Sequence, residues 1–286
     1  MTLLPRGDTA RPGDTPDPDG PRHPAPPAVG MTVIHAEWTK LRTVGGTGWL
    51  LLTAAVLTAG VSAAAAAATK YSPFDSVQDT TKVALTGIDL GQAVIAILAV
   101  LIISGEYSSG MIRVTLAAMP RRPLVLAAKA AWVIVMALAA GTVAVLACLL
   151  AARFILPGNG FTPGHGYAAL SLAHGPTLRA AFGSVLYLAL IALLSLGIAT
   201  AVRDSAVAIG VVLAVLYLFP IIAQVLSPRW QHDVMRIGPM TAGLSIQATT
   251  HLSSLPIGPW PGLGVVAAWA AAALLIGGLV LRLRDA

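Results

Sequence analysis

The sequence predicts an all-α integral membrane protein with six transmembrane helices, and three observations carry that prediction. The 286 residues are 56% hydrophobic and only 10% charged, against about 25% charged in an ordinary soluble domain. Several apolar runs reach the ~20 residues that a hydrocarbon core of about 30 Å asks of a helix. Bases stand mostly at the ends of those runs rather than in one patch, so the net charge of +6 fits membrane topology better than nucleic acid.

Residues 1–30 are rich in Pro, Gly, Asp and Arg and show no apolar periodicity. They cannot bury enough surface to offset the entropy of ordering, and a disordered tail is expected. They lack the apolar core of a secretory signal, and the folded unit is expected to begin at Met31. From there Met31, Ile34, Trp38 and Leu41 form one helical stripe, with Glu37, Lys40 and Arg42 off it. Such a helix, over residues 31–46, lies in the membrane interface or simply extends the first span.

The six-span domain is expected over 47–286. Its first span runs from about Gly48 to Thr69 and ends in the alanine tract Ala63–Ala68, whose small side chains allow close backbone approach. Residues 70–86 read as a short polar loop, and the second span lies between Asp89 and Glu106. Lys129 and Arg153 delimit the third, Ala130 to Ala152. Arg179 and Arg203 delimit the fourth, Ala180 to Val202. Only Arg203 and Asp204 separate it from the fifth, Ser205 to Leu226, which demands a tight hairpin; Pro220 is expected to kink that fifth helix. The last span is about Gly262 to Leu281.

Six spans place both termini on one side. With Lys40, Arg42, Arg113, Arg121, Arg122, Lys129, Arg203, Arg282 and Arg284 on that side, the positive-inside rule makes it cytoplasmic. Residues 154–178 and 227–261 are then outer loops. Within the second, Leu244, Ala248, Leu252 and Leu255 recur at helical spacing, suggesting a short interfacial helix flanked by Trp230 and Trp260.

The polar island Gly105–Pro123 interrupts this apolar pattern. If 106–116 is helical, Glu106, Ser109, Gly110 and Arg113 fall at i, i+3, i+4 and i+7, so acid, small residues and base share a face suited to docking a protein. The plainer reading is a loop whose bases only fix topology.

Several chemistries have no support. Gradient coupling usually needs acids or histidines deep in the bundle, whereas here they fall in loops or at span ends, with Gln92 and Gln224 the polar side chains nearer the membrane. There is no phosphate loop and no nucleophile–base constellation, so the chain is not expected to be an enzyme, and no catalytic or cofactor-binding residue is assigned. His165, His174, His232 and His251 share the expected outer loops without a ligand spacing, so no metal is expected. Cys148, the lone cysteine, reads as a packing residue.

Glu37-Trp38-Thr39-Lys40-Leu41-Arg42-Thr43, then six spans, and Glu106-Tyr107-Ser108-Ser109-Gly110-Met111-Ile112-Arg113 after the second of them, form an ordered set. Gly258-Pro259-Trp260 before the last span and the closing Leu281-Arg282-Leu283-Arg284-Asp285-Ala286 extend it. From Met31 to Ala286 the chain resembles the type-2 permeases of ABC transporters, especially the compact actinobacterial kind. It departs from them at Met111, where a small hydroxyl residue would be expected, and in the tail before Met31. The resemblance implies an export-type permease in the cytoplasmic membrane that pairs with a second permease subunit, as homodimer or heterodimer, and with a cytoplasmic ABC ATPase subunit that carries ATP and Mg. It implies an elbow helix bearing Glu37, Trp38, Lys40 and Arg42, and a coupling helix bearing Glu106, Tyr107, Gly110 and Arg113 that seats on the ATPase. The alternatives are a gradient-driven secondary transporter, which needs midplane ionisable residues, and a non-transporting membrane scaffold.

Overall fold

The computed structural model describes residues 45–74, 77–108 and 122–283. The expected tail and the elbow up to residue 44 therefore lie outside the described residues, as do 109–121 of the polar island. Every regular element among the described residues is helical: α1 Gly45–Ala68, α2 Thr80–Leu85, α3 Ile88–Ser108, α4 Arg122–Gly158, α5 Gly175–Val202, α6 Ser205–Val225, α7 Pro228–Ile237, α8 Pro239–Gly243 and α9 Pro259–Leu283, with single 3-10 turns at Pro163–His165, Leu244–Gln247 and Leu252–Ser254. Six of these segments are long and apolar enough to cross a membrane. The chain is a multi-pass membrane protein.

The most enclosed of the six is α5, which packs against α3, α4, α6 and α9. Between apolar helices in lipid the hydrophobic effect does little, so close packing must hold them together. Small residues supply it at the α5–α9 crossing. A Cβ on Gly197 would stand 2.5 Å from the carbonyl carbon of Ala273, and one on Gly277 would stand 2.6 Å from the Gly197 carbonyl oxygen. The α1–α3 crossing is built in the same way: a Cβ on Gly91 would run into Thr58 Oγ1, and Gly87, just before α3, donates its N–H to Ser62 Oγ at 2.9 Å.

The turn between α5 and α6 is as tight as the sequence demands. Arg203 takes a left-handed conformation (φ 65°) and its N–H closes α5 on the Ala199 carbonyl, while Asp204 caps α6 by accepting from the Val207 N–H at 2.8 Å. Pro220 sits inside α6, which continues through it to Val225.

Two boundaries differ from the sequence reading. Residues 80–85, expected in a polar loop, form α2, because Asp79 caps it through the Lys82 N–H and Thr81, Ala84 and Leu85 turn inward. The third span is not delimited by Lys129 and Arg153. Both lie within the 37-residue α4, about 55 Å long at 1.5 Å per residue, and Lys129 is only 2% exposed. The apolar pattern resumes before the lysine at Leu124–Ala128, so the helix propagates through it without a new nucleation cost.

Segments 69–74, 77–79, 159–174 and 249–258 gather at one end of the bundle. The Tyr71 N–H donates to the Asn159 carbonyl at 2.9 Å, and Asn159 Nδ2 donates to the Ala66 carbonyl at 2.8 Å. The Tyr71 ring stacks on His165 at 4.3 Å and meets Phe161 and Tyr167 edge-on. Tyr167 Oη accepts the Gln78 N–H at 3.2 Å.

The expected interfacial helix over 244–255 does not form. After α6 the chain doubles back: the far end of α7 brings Gly238 against Phe219, well short of Val225, and the Ile237 carbonyl accepts from Trp269 Nε1 of α9 at 2.9 Å. It then climbs along α5, with Gly243 against Tyr187, Ile246 against Gly183 and the Ala248 carbonyl accepting from Arg179. Residues 228–248 thus make a re-entrant hairpin. Its 3-10 stretch lies among the long helices, with Ser245, Ile246 and Gln247 enclosed by protein, the setting in which non-helical backbone can be accommodated between spans. Continuous helix is excluded beyond Ala248, since the N–H groups of Thr249 and Thr250 are drawn out to Asp79.

Candidate functional site

Beneath the tip of the re-entrant hairpin lies the main polar cluster of the described interior. Gln92 on α3 and Tyr187 on α5 are both fully buried. The Tyr187 hydroxyl donates to Gln92 Oε1, and Gln92 Nε2 donates to the Asp89 carbonyl at 3.0 Å. Tyr217 on α6 donates its hydroxyl to that same carbonyl at 2.5 Å. A carbonyl has two lone pairs, and a polar group buried without a partner costs about 1 to 3 kcal/mol. The cluster therefore holds α3, α5 and α6 in one register. The Tyr187 ring also presses on Gly243 at the hairpin tip, where a Cβ would meet both Tyr187 and Val266 of α9.

A second polar junction fixes the hairpin from above. Asp79 Oδ1 accepts from Thr249 Oγ1 at 2.7 Å and from the Lys82 N–H at 3.1 Å, and Oδ2 accepts from the Thr250 N–H at 3.0 Å and from the Thr249 N–H. Burial alone would push the Asp79 carboxyl up, but the donors from Thr249, Lys82 and Thr250 outweigh it and hold the carboxyl below its ordinary value. One carboxylate thus fastens the exit of the hairpin to the start of α2.

The residues singled out in the sequence are distributed unevenly over this arrangement. Glu106 and Tyr107 belong to the last turn of α3, at the end opposite the loops. Gly110 and Arg113 lie outside the described residues, as do Glu37, Trp38, Lys40 and Arg42. Gln92 is at the centre of the cluster, whereas Gln224 is exposed on α6. Cys148 is fully buried in the core, as a packing residue should be. His165 is engaged with Tyr71 and, through Nδ1, with the Gly160 carbonyl at 2.7 Å. No group of three metal-ligating side chains occurs among the described residues.

Tyr187, Tyr217, Asp79 and Thr249 were not anticipated. A tyrosine in mid-span is a detectable signal, because its hydroxyl must find a partner in lipid. Asp79-Thr80-Thr81-Lys82 likewise has the form of a helix N-cap. Nothing in the sequence joins Asp79 to Thr249, 170 residues away. No protein-family model matches the chain, and no curated protein matches it.

The cluster is suited to positioning rather than to bond-making. It presents amide, hydroxyl and carbonyl groups already paired with one another. It links the hairpin tip to α3, and α3 runs from Gln92 to Glu106 at its other end, about 21 Å further along a rigid rod.

Proposed function

We propose that this chain is the membrane-spanning permease subunit of an ABC transporter of the export type. It moves substrate across the cytoplasmic membrane using ATP hydrolysed, with Mg, by a separate cytoplasmic ATPase subunit, and it pairs with a second permease subunit. The observation that carries the reading is the geometry of α1 and α3. The helix that follows the elbow-like motif starts, and the helix that precedes the coupling-like motif ends, at the same end of the bundle. Leu51 of α1 and Ile102 of α3 line one crevice with Val133 and Met136 of α4, in the half of the bundle away from the end that gathers the loops.

In this reading the loop-bearing end faces outward and both termini are cytoplasmic. Closure of the ATPase subunits pushes on Glu106, Tyr107, Gly110 and Arg113, with Glu37, Trp38, Lys40 and Arg42 anchoring α1 at the interface. The displacement passes along α3 to the Gln92–Tyr187 pair and so to the hairpin tip, a transition between two packed arrangements.

Charge reversal tests it. Glu106→Lys and Arg113→Glu are expected to abolish co-purification of the ATPase and substrate-stimulated ATP hydrolysis, in membranes holding normal amounts of permease. An interfacial charge matters most when its contact is buried, so reversal is sharper than Glu106→Ala. If hydrolysis and co-purification both survive the two reversals, the segment is only topogenic and the permease reading loses its main support.

A further inference from the structure

A lipid-facing groove at the loop-bearing end has the chemistry of a phospholipid seat. It lies between α4 and residues 170–172 just before α5, has a volume of about 320 Å³, and is lined by Leu146, Leu149 and Leu150 of α4 together with Leu170 and Leu172. Arg153 and Ser171 add polar groups to its lining, and Thr177 is buried there with its hydroxyl 3.4 Å from that of Thr81. The volume is at the low end of ligand-sized sites, about 300 to 1,000 Å³, enough for a segment of acyl chain rather than a whole lipid. The guanidinium is held in place: Arg153 Nη1 donates to the Leu170 carbonyl at 2.9 Å, which orients the planar fork and leaves further N–H groups for an anion. Arg153 lies inside the spanning helix, five residues before its end at Gly158, about 8 Å along the axis, and its long side chain can reach the phosphate level from there while the leucines below it stay in hydrocarbon.

We infer that this groove binds one phospholipid of the adjoining leaflet, the phosphate on Arg153 and an acyl chain over Leu146, Leu149 and Leu150. Among the described residues that line the groove none is acidic, so the lining offers a guanidinium to a phosphate and no carboxylate to a headgroup ammonium. The site therefore selects net-anionic lipid. A second apolar groove, between α4 and α9 at the other end of the bundle, has Arg282 at its edge and serves as an internal comparison.

The test is native mass spectrometry of the full chain in detergent with phosphatidylglycerol, phosphatidylethanolamine or phosphatidylcholine added singly. The intact protein should retain phosphatidylglycerol in preference to the other two. Arg153→Gln should lower that retention about tenfold, the scale of losing a hydrogen-bonded charge. Leu150→Trp should lower retention of all three lipids by filling the groove. Leu150 is 56% exposed, so this variant should melt like the parent. Arg282→Gln should leave the Arg153-dependent component unchanged. Equal retention in the parent, Arg153→Gln and Leu150→Trp would overturn the assignment, as would a lack of preference for phosphatidylglycerol. Loss of a dimer in Leu150→Trp, with no change in lipid, would give the groove to a second copy of the chain instead.

Discussion

Tyr187 and Gln92, separated by 95 residues in sequence, close a buried hydrogen bond between α5 and α3 directly beneath the re-entrant tip. Each supplies what the other cannot obtain from lipid, so their contributions are coupled. Tyr187→Phe should cost about 1 to 3 kcal/mol by stranding Gln92 Oε1, while Tyr187→Phe with Gln92→Leu should cost clearly less than the two singles added together. Thermal unfolding in detergent measures the cycle. Strict additivity would mean that the pair does not hold the tip.

Asp79 makes the loop-bearing end sensitive to acid. Its carboxyl lies below the ordinary value when folded, so its stabilisation is fully present above the unfolded value of about 3.9 and is lost as pH falls through the lower folded value. Asp79→Asn should therefore reduce stability at pH 7, by about 1 to 3 kcal/mol for the donors left poorly matched. That deficit should shrink below about pH 4. A parent-minus-variant difference in melting temperature that stays constant from pH 7 to pH 3 would contradict the assignment.

The α5–α9 crossing has no room for a side chain. Gly197→Ala, which drives a methyl into the Ala273–Leu274 backbone, should destabilise by about 1 to 3 kcal/mol. Gly60→Ala on α1, where a Cβ meets nothing within 4 Å, should be neutral or stabilise by up to about 1 kcal/mol. Comparing the two melting temperatures separates crowding from helix propensity. A Gly197→Ala protein as stable as Gly60→Ala would refute the close crossing.

Cysteine labelling decides which compartment the loops face. In a Cys148→Ser background, Ser253→Cys, placed in an exposed stretch of the loop-bearing end, should react with an impermeant reagent in intact cells, and Ser108→Cys should not. The opposite pattern would invert the orientation.

The spans were legible because an 18-residue apolar run in a helix has few other uses, and α1, α5, α6 and α9 lie close to where their composition puts them. Lys129 misled because a charge was read as a boundary, although a long basic stem can be enclosed when the apolar pattern continues on both sides. The helix expected over 244–255 failed for a different reason: Leu244, Ala248, Leu252 and Leu255 have the right spacing, but Asp79 competes for the backbone N–H groups of Thr249 and Thr250. Gln92 could be picked out as a polar residue in an apolar run. Its partners could not, since pairing between Tyr187, Tyr217 and the Asp89 carbonyl is set by helix register across three spans and leaves no local pattern.

The dependence of α5 on α9 has a consequence for biosynthesis. During translation α5 enters the bilayer while the helix that fits against Gly197 is still some sixty residues from synthesis, with the hairpin to be laid down between them. Until α9 arrives, the most enclosed helix of the bundle has one flank against lipid or an insertion chaperone. A nascent chain arrested before Pro259 would hold five of the six spanning segments and leave bare the flank of α5 that α9 covers.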